Sequence, residues 1–145
     1  MTNRVLYFIW LPFIVLACGG NEPNEQKEHL NGYWQIDQVD SPYGEDREYQ
    51  INERVDYIEV DNDTGFRAKV VPSLDGSIIH NGTTEKIKLS TENDSLRLYY
   101  TTNYDQWTET VLQADAENLK VKNDRGIIYT YSRYELIDLT EELKE

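Results

Sequence analysis

Apolar and polar residues alternate along most of the chain, and short clusters of turn-forming residues separate the alternating stretches. In one stretch, Trp34 and Ile36 alternate with Gln35 and Asp37. A period of two is typical of β-strands that have one face in the core and the other in water. Eight strands are predicted in this way, near residues 32–39, 55–60, 66–72, 84–91, 95–102, 106–113, 117–122 and 127–134.

The spacing of these strands predicts how they pair. From residue 84 onward they begin ten or eleven residues apart, which is typical of hairpin-linked neighbours in an antiparallel sheet. An open sheet of eight strands would expose two unpaired edges, and closing the sheet into a barrel removes both. The predicted fold is therefore an all-β, eight-stranded antiparallel up-and-down barrel, whose interior has room for side chains or one small ligand.

Two segments outside the predicted strands have their own patterns. The segment 41–54 is too polar for a core and is predicted to arch over one mouth of the barrel. Near the C-terminus, Leu136, Leu139 and Leu143 follow one another at helical spacing. This spacing fits a short C-terminal helix against the barrel wall, and a frayed tail fits the same residues.

The N-terminal segment looks like an export signal. Residues 5–17 carry no charge and follow Arg4, but thirteen residues are too few for a membrane-spanning helix, which needs about 20. A charged start, a short apolar stretch and a small residue at its end are typical of a secretory signal peptide. The stretch VLAC at residues 15–18 resembles the lipobox of bacterial lipoproteins, and it ends in Cys18, the only cysteine of the chain. This resemblance implies cleavage before Cys18, a diacylglycerol on its sulfur and acylation of its new amino group.

Other interpretations of this segment are an ordinary signal peptide with a chance cysteine, or an uncleaved anchor. Lipidation of Cys18 would anchor the protein permanently in a membrane. Gly19 stands where some enteric lipoproteins have the aspartate that retains them in the inner membrane. The comparison implies an outer-membrane protein of the cell envelope, and it leaves open the periplasmic face and the cell surface.

The chain is thus predicted to have three parts. Residues 1–17 are the signal peptide, residues 18–31 are the lipidated cysteine with a flexible tether, and residues 32–145 are the barrel domain. The tether is predicted because residues 19–31 have almost no apolar side chains to bury.

The mature chain is strongly acidic. Residues 1–17 hold one basic residue and no acid, so 13 basic and 27 acidic residues remain, a formal charge of −14. Such a surface repels nucleic acid, which is excluded as a partner. Apart from Cys18 there is no cysteine to form a disulfide, so the stability of the fold must come from packing.

The motif LNGYWQI places Gly32 two residues before Trp34, and YTYSRYE places Arg133 at the end of the last strand. This pairing resembles the lipocalin-like families, in which a Gly-x-Trp opening and a late arginine meet at the closed end of the barrel. The stretches FRAKVVPSLDG and LRLYYTTNYDQWTET are similar to small lipocalin-like lipoproteins of the Bacteroidota, and the likeness spans roughly residues 30–134. A guanidinium stacks favourably on an indole, so we expect Arg133 to lie within 6 Å of the Trp34 ring and close the barrel.

The chain has no recognisable catalytic or cofactor motif. His29 and His80 do not stand at a metal-ligand spacing, and no thiol is free to join them. Phosphate-binding loops, dinucleotide glycine patterns and the Gly-x-Ser-x-Gly elbow are missing. The sequence therefore predicts a protein that is not an enzyme and has no cofactor or metal.

Glu109 is the most informative polar residue of the predicted strands, because it stands between Trp107 and Val111 on one strand face. If that face points inward, the buried carboxylate needs a partner, and the candidates are Arg67, Arg97 and Arg133. Glu109 would then be a polar anchor for a ligand in the barrel. In the opposite register the inward residues are Thr108, Thr110 and Leu112, and Glu109 faces water.

Aromatic residues cluster in the last strands and complete the predicted ligand site. Tyrosine offers a ring for packing and a hydroxyl for a hydrogen bond. The predicted ligand-binding residues are Glu109, Tyr100, Tyr129, Tyr131 and Trp107.

Two functions fit these features. The first is a monomeric envelope lipoprotein that binds a small apolar or amphipathic molecule. The second is a barrel filled by its own aromatic side chains that acts as an interaction or assembly module without a ligand. An open cavity of a few hundred Å³ would favour binding.

Overall fold

Nine strands and one short helix make up the regular structure in the computed structural model, which describes residues 21–44, 46–48, 55–73 and 75–136. The elements are α1 (Pro23–Glu28), β1 (Gly32–Asp40), β2 (Arg47–Glu48), β3 (Val55–Asp61), β4 (Thr64–Pro72), β5 (Ile78–Glu92), β6 (Ser95–Thr101), β7 (Gln106–Ala114), β8 (Asn118–Asn123) and β9 (Ile128–Arg133).

The sheet closes on itself through its first and last long strands. Strand β1 pairs with β3, and each strand from β3 to β9 pairs antiparallel with the next. Strand β9 then pairs with β1, from Trp34 opposite Arg133 to Asp40 opposite Ile128. The predicted eight-stranded antiparallel barrel is therefore confirmed, with the two-residue β2 added beside β1 within the predicted 41–54 segment.

The eight predicted strands all exist, and β5 is the one whose length differs most. It begins at Ile78, six residues before the predicted start, and its first residues pair with the end of β4 at Val71 and Pro72. The polar run HNGTTE in this half of the strand has no apolar–polar alternation, so the sequence pattern did not predict it as a strand. Irregularities in register between β1 and β9, between β4 and β5, and between β7 and β8 bend the sheet, which a small closed barrel requires.

The two ends of the barrel differ. One end holds the start of β1 and the end of β9, and α1 packs beneath it against β6 and β7. We call this the closed end. The other end holds the connections after β1, β4, β6 and β8, and we call it the mouth. The core lies between them and includes Leu30, Trp34, Ile58, Leu98 and Tyr100.

The prediction of a flexible tether is wrong for residues 21–31. Residues Pro23–Glu28 are helical, and the following Leu30 is 0% exposed and belongs to the core. A proline at the start suits the first helical turn. A six-residue helix is not stable alone, and burial of one leucine, worth about 1.5 to 3 kcal/mol, helps to fix it against the barrel.

Polar contacts attach the same segment to the barrel. The side-chain amide of Asn21 donates to the carbonyl of Ala114 at 2.5 Å. The ammonium of Lys27 lies 2.7 Å from a carboxylate oxygen of Asp63 in the β3–β4 turn. Each contact is modest alone, but both fix the segment to the closed end.

Other predicted features lie outside the described residues. These include the signal peptide and the lipidated Cys18, and most of the C-terminal helix that was an alternative for residues 136–143. Leu136 itself is exposed and lies in no helix or strand. Within the described part of the chain, no helix is long and apolar enough to cross a membrane.

Candidate functional site

Trp34 and Arg133 meet at the closed end. Trp34 is 0% exposed, and its indole nitrogen donates to the carbonyl of Leu30 at 2.8 Å. The guanidinium carbon of Arg133 lies 3.7 Å from the centre of the Trp34 ring. This distance is well inside the 6 Å that the stacking prediction required.

Arg133 also binds the segment that enters the barrel. Its guanidinium donates to the carbonyl oxygens of Asn31 at 2.6 Å, His29 at 2.9 Å and Ala116 at 3.0 Å. The rigid fork of donors makes arginine suited to several carbonyls at once. One side chain thus joins β9, the residues before β1 and the β7–β8 turn.

Gly32 allows this arrangement for two reasons. Its φ of +123° lies in a region that side chains rarely adopt. A Cβ atom at this position would lie 2.5 Å from a guanidinium nitrogen of Arg133. Gly32, Trp34 and Arg133 therefore form one closure motif.

A buried cluster of charges fills the middle of the barrel, with Arg67 of β4 at its centre. A guanidinium nitrogen of Arg67 lies 2.6 Å from a carboxylate oxygen of Asp56 and donates to the hydroxyl of Tyr131 at 2.8 Å. A second nitrogen lies 3.6 Å from Oε2 of Glu109. A carboxylate oxygen of Glu85 lies 3.9 Å from Nε of Arg67 and completes the cluster.

The carboxylates of this cluster have opposite pKa shifts. Burial by itself would raise the pKa of Asp56, but Arg67 and Lys69 outweigh it and hold the pKa below its ordinary value. Burial raises the pKa of Glu109, and Arg67 offsets this only in part. Burial also raises the pKa of Glu85. Asp56 is therefore the strongly compensated carboxylate, and Glu109 is the weakly compensated one.

Side chains fill the interior around this cluster. The residual void among Trp34, Ile58, Arg67, Tyr100 and their neighbours totals about 200 Å³ and has no room for a water-sized sphere. A ligand therefore has no space in this part of the barrel as the described residues define it.

Space is available at the mouth, in two grooves that share Arg125 and Tyr129. The first mouth groove has a volume of about 640 Å³ and lies along the start of the 41–54 segment, with Val39, Tyr43 and Arg47 in its lining. The second mouth groove has a volume of about 450 Å³ and is lined by Asp105, Trp107, Thr108, Glu109, Asn123, Asp124, Arg125 and Tyr129.

Glu109 connects the second mouth groove with the buried cluster, because it lines both the groove and the interior void. Glu109 is 5% exposed, so the inward register is correct and the alternative with Glu109 in water is wrong. Trp107, two residues earlier, is half-buried and stacks on Tyr100 with ring centres 5.0 Å apart and planes 7° apart. The groove thus has an aromatic wall beside a buried carboxylate.

The family model described as a lipocalin-like domain matches residues 30–121, more than half of the chain. The chain belongs to the lipocalin-like domain family. A lipocalin-like protein from Bacteroides uniformis has a solved structure with 15% identity and a TM-score of 0.46, covering 73% of this chain and 99% of that one.

Two apocrustacyanin structures are also similar. Apocrustacyanin C1 has 16% identity and a TM-score of 0.44, covering 81% of this chain and 68% of that one. Lobster apocrustacyanin A1 has 15% identity and a TM-score of 0.45, covering 83% of this chain and 69% of that one. No curated protein matches the chain.

The lipocalin-like barrel brings three of the five predicted ligand residues, Trp107, Tyr129 and Glu109, to the second mouth groove. Tyr100 stacks on Trp107 from the neighbouring strand, and Tyr131 lies against Arg67 in the interior. The ligand role of these residues stays a prediction.

The sequence pattern missed Asp56, the partner of Arg67. Asp56 stands two residues before the inward Ile58 in β3, so both side chains lie on the same strand face. This spacing could have predicted that Asp56 points inward. Among the described residues, no group of three or more His, Cys, Asp or Glu could hold a metal ion.

Replacing Gly32 tests the closure motif of the lipocalin-like barrel. We expect Gly32→Ala to lower the free energy of unfolding by about 2 to 3 kcal/mol, because it strains the backbone and displaces Arg133. Urea denaturation of the mature chain measures this change. Gly44→Ala is the matched control, because its Cβ would meet no atom within 4 Å. Equal stabilities of the two variants would contradict the account.

Stability against pH tests the two carboxylates. A carboxyl whose pKa is raised by folding stabilises the fold while protonated, and this contribution is lost as the pH rises through the raised pKa. We therefore expect Glu109→Gln to gain stability relative to the unmodified protein as the pH rises above about 4.5, the ordinary value for Glu109.

Asp56→Asn should show the opposite trend. The lowered pKa of Asp56 contributes stability above its ordinary value of 3.8 that is lost as the pH falls. The stability of the asparagine variant, relative to the unmodified protein, should therefore fall as the pH rises through this range. Urea denaturation at a series of pH values measures both trends, and trends of the same sign would contradict the assignment.

Proposed function

We propose that the mature chain is a monomeric lipoprotein of the cell envelope whose lipocalin-like barrel binds a small apolar or amphipathic molecule at its mouth. The observation that carries this proposal is the second mouth groove, where about 450 Å³ of space adjoins the Trp107 ring and the buried Glu109 carboxylate. A groove with an apolar wall and a few oriented polar groups is the usual form of a small-molecule site. The proposed role is binding and not catalysis.

The mouth is the proposed binding place because the interior is filled. The cluster around Arg67 closes the barrel below Tyr100, so a ligand would lie on the Trp107 and Tyr100 stack. Glu109 then acts as the polar anchor that the sequence suggested, with the ligand above the cluster and not within the barrel.

The proposed anchor rests on the short apolar segment 5–17, which looks like an export signal, and on residues 15–18, which resemble the lipobox of bacterial lipoproteins. Asn21 binds Ala114 at the closed end, and three residue steps separate it from Cys18. Three steps span at most about 11 Å. A lipid on Cys18 would therefore hold the closed end beside the outer membrane, and the mouth would face away from that membrane.

Removal of the thiol tests the anchor. We expect Cys18→Ala to move the protein from the membrane fraction to the soluble fraction or to stop its processing, because the alanine side chain cannot accept a lipid. Fractionation of the producing cells and the mass of the purified protein measure this. Gly20→Ala is the control and should keep the membrane location. A Cys18→Ala protein that is processed and still sediments with membranes would contradict lipid anchoring.

Removal of the aromatic wall tests the binding site. We expect the mature chain to bind the neutral fluorescent amphiphile N-phenyl-1-naphthylamine, and Trp107→Leu to weaken binding about tenfold through loss of ring contact. A fluorescence titration measures both. Tyr104→Ala is the control, because Tyr104 is 94% exposed at the same mouth and lies outside the groove lining. Absence of binding, or equal binding by all three proteins, would contradict the proposed site.

The filled interior also favours the second function, an interaction module that holds no ligand. Three large apolar side chains, Tyr43, Ile79 and Tyr104, are exposed near the mouth and would suit contact with a protein partner. The titration separates the two functions, because a pure interaction module would bind no amphiphile.

A further inference from the structure

The buried cluster has more negative than positive side chains. It contains two cations, Arg67 and the half-exposed Lys69, and three carboxylates, Asp56, Glu109 and the partly exposed Glu85. With all five groups ionised, the cluster carries a charge of −1. Because buried charges need partners, this imbalance points to a missing positive group.

The imbalance falls mainly on Glu109. Asp56 forms an ion pair with both Arg67 and Lys69. The Glu109 carboxylate has one ion-pair contact, with Arg67 at 3.6 Å, and a hydrogen bond from the Tyr100 hydroxyl lowers its pKa. Its Oε2 atom has no hydrogen-bond partner among the described residues. A buried carboxylate oxygen without a hydrogen bond is costly. Glu109 also lines the second mouth groove, so a cation in the groove would offset the charge of its carboxylate.

The second mouth groove offers the surroundings that an organic cation needs. Trp107 and Tyr129 line it, and aromatic faces attract ammonium groups. The rim charges nearly balance, because Asp124 lies 3.5 Å from Arg97 and Asp105 shares the rim with Arg125. The unbalanced negative charge is therefore at the floor of the groove, where Glu109 lies.

We propose that the second mouth groove binds an amphipathic amine, with the ammonium group against the Glu109 carboxylate and the apolar body against Trp107 and Tyr129. This inference rests on the proposed function and specifies the class of ligand. An anionic amphiphile would place a second negative charge beside Glu109. A neutral amphiphile would leave the charge of the cluster uncompensated.

Three ligands with the same chain test the proposal. Octylamine and octanoate, below their micellar concentrations, and octanol, below its solubility limit, are titrated into the mature chain at pH 7.5, and binding is measured by calorimetry. We expect octylamine to bind at least tenfold more tightly than octanol, and octanoate to bind most weakly. Octyltrimethylammonium, which has no N–H group, should bind more weakly than octylamine.

Two variants with the same charge change identify the residue responsible. Glu109→Gln should bring the affinities for octylamine and octanol within about twofold of each other. Glu117→Gln, in the exposed β7–β8 turn at the closed end, should keep the full preference for the amine. The urea unfolding of each variant checks that it is folded.

The outcomes separate the two proposals. If octanol binds as tightly as octylamine, or octanoate binds most tightly, the amine inference is wrong and amphiphile binding stands. A preference for octylamine that persists in Glu109→Gln also overturns the inference. If Glu109→Gln does not fold, the two cations still test the inference in the unmodified protein. Octyltrimethylammonium has no N–H to donate, so binding as tight as that of octylamine would show that no hydrogen bond to Glu109 forms and would overturn the inference. If none of the ligands binds, the proposed function itself fails.

Discussion

The burial of Arg67 in the middle of the barrel determines how the rest of the interior is used. A guanidinium removed from water needs hydrogen bonds and opposite charges, because an isolated buried charge is very costly. Asp56, Glu109 and the hydroxyl of Tyr131 supply them. These side chains occupy the space that a ligand would otherwise take, so among the described residues the barrel is filled up to Tyr100 and has its second groove at the mouth.

The closed end depends on a second arginine in a different environment. Arg133 stacks on Trp34 and donates to carbonyls of the segment before β1. The chain therefore enters the barrel in a fixed position, with Asn21 bound to the β7 terminus. A mouth that faces away from a lipid at Cys18 would meet its ligand from the aqueous side and not from the anchoring membrane.

The period-two pattern was sufficient to predict the barrel, since each strand buries one face, and the Gly-x-Trp and arginine residues predicted its closed end. The pattern failed to predict structure where only one residue of a segment is buried in the core. Leu30 fixes α1 although its neighbours are polar, and no repeating signal marks such an anchor. In β4 the alternation places Phe66 with Ala68, yet Arg67 is the inward residue and Phe66 packs on Tyr57 outside.

The register of β4 against β3 is continuous from Val70 opposite Val55 to Thr64 opposite Asp61, so Phe66, Ala68 and Val70 share one strand face. The alternation in β4 separates its two faces but does not show which of them is inward. The sequence showed that Glu109 shares a strand face with Trp107 and Val111. It left open whether that face or the opposite one points into the barrel. The location of the grooves could not be predicted, since it depends on how much of the barrel the side chains around Arg67 fill.

The two tryptophans of the mature chain allow the most direct test of a ligand at the mouth above a filled interior. Trp107 lies at the mouth, and the indole N–H of Trp34 is bound to Leu30 at the closed end. Nuclear magnetic resonance resolves the two indole N–H signals during titration with octylamine. The account predicts that the Trp107 signal shifts with saturation and the Trp34 signal stays in place. A shift of the Trp34 signal with an unchanged Trp107 signal would contradict it.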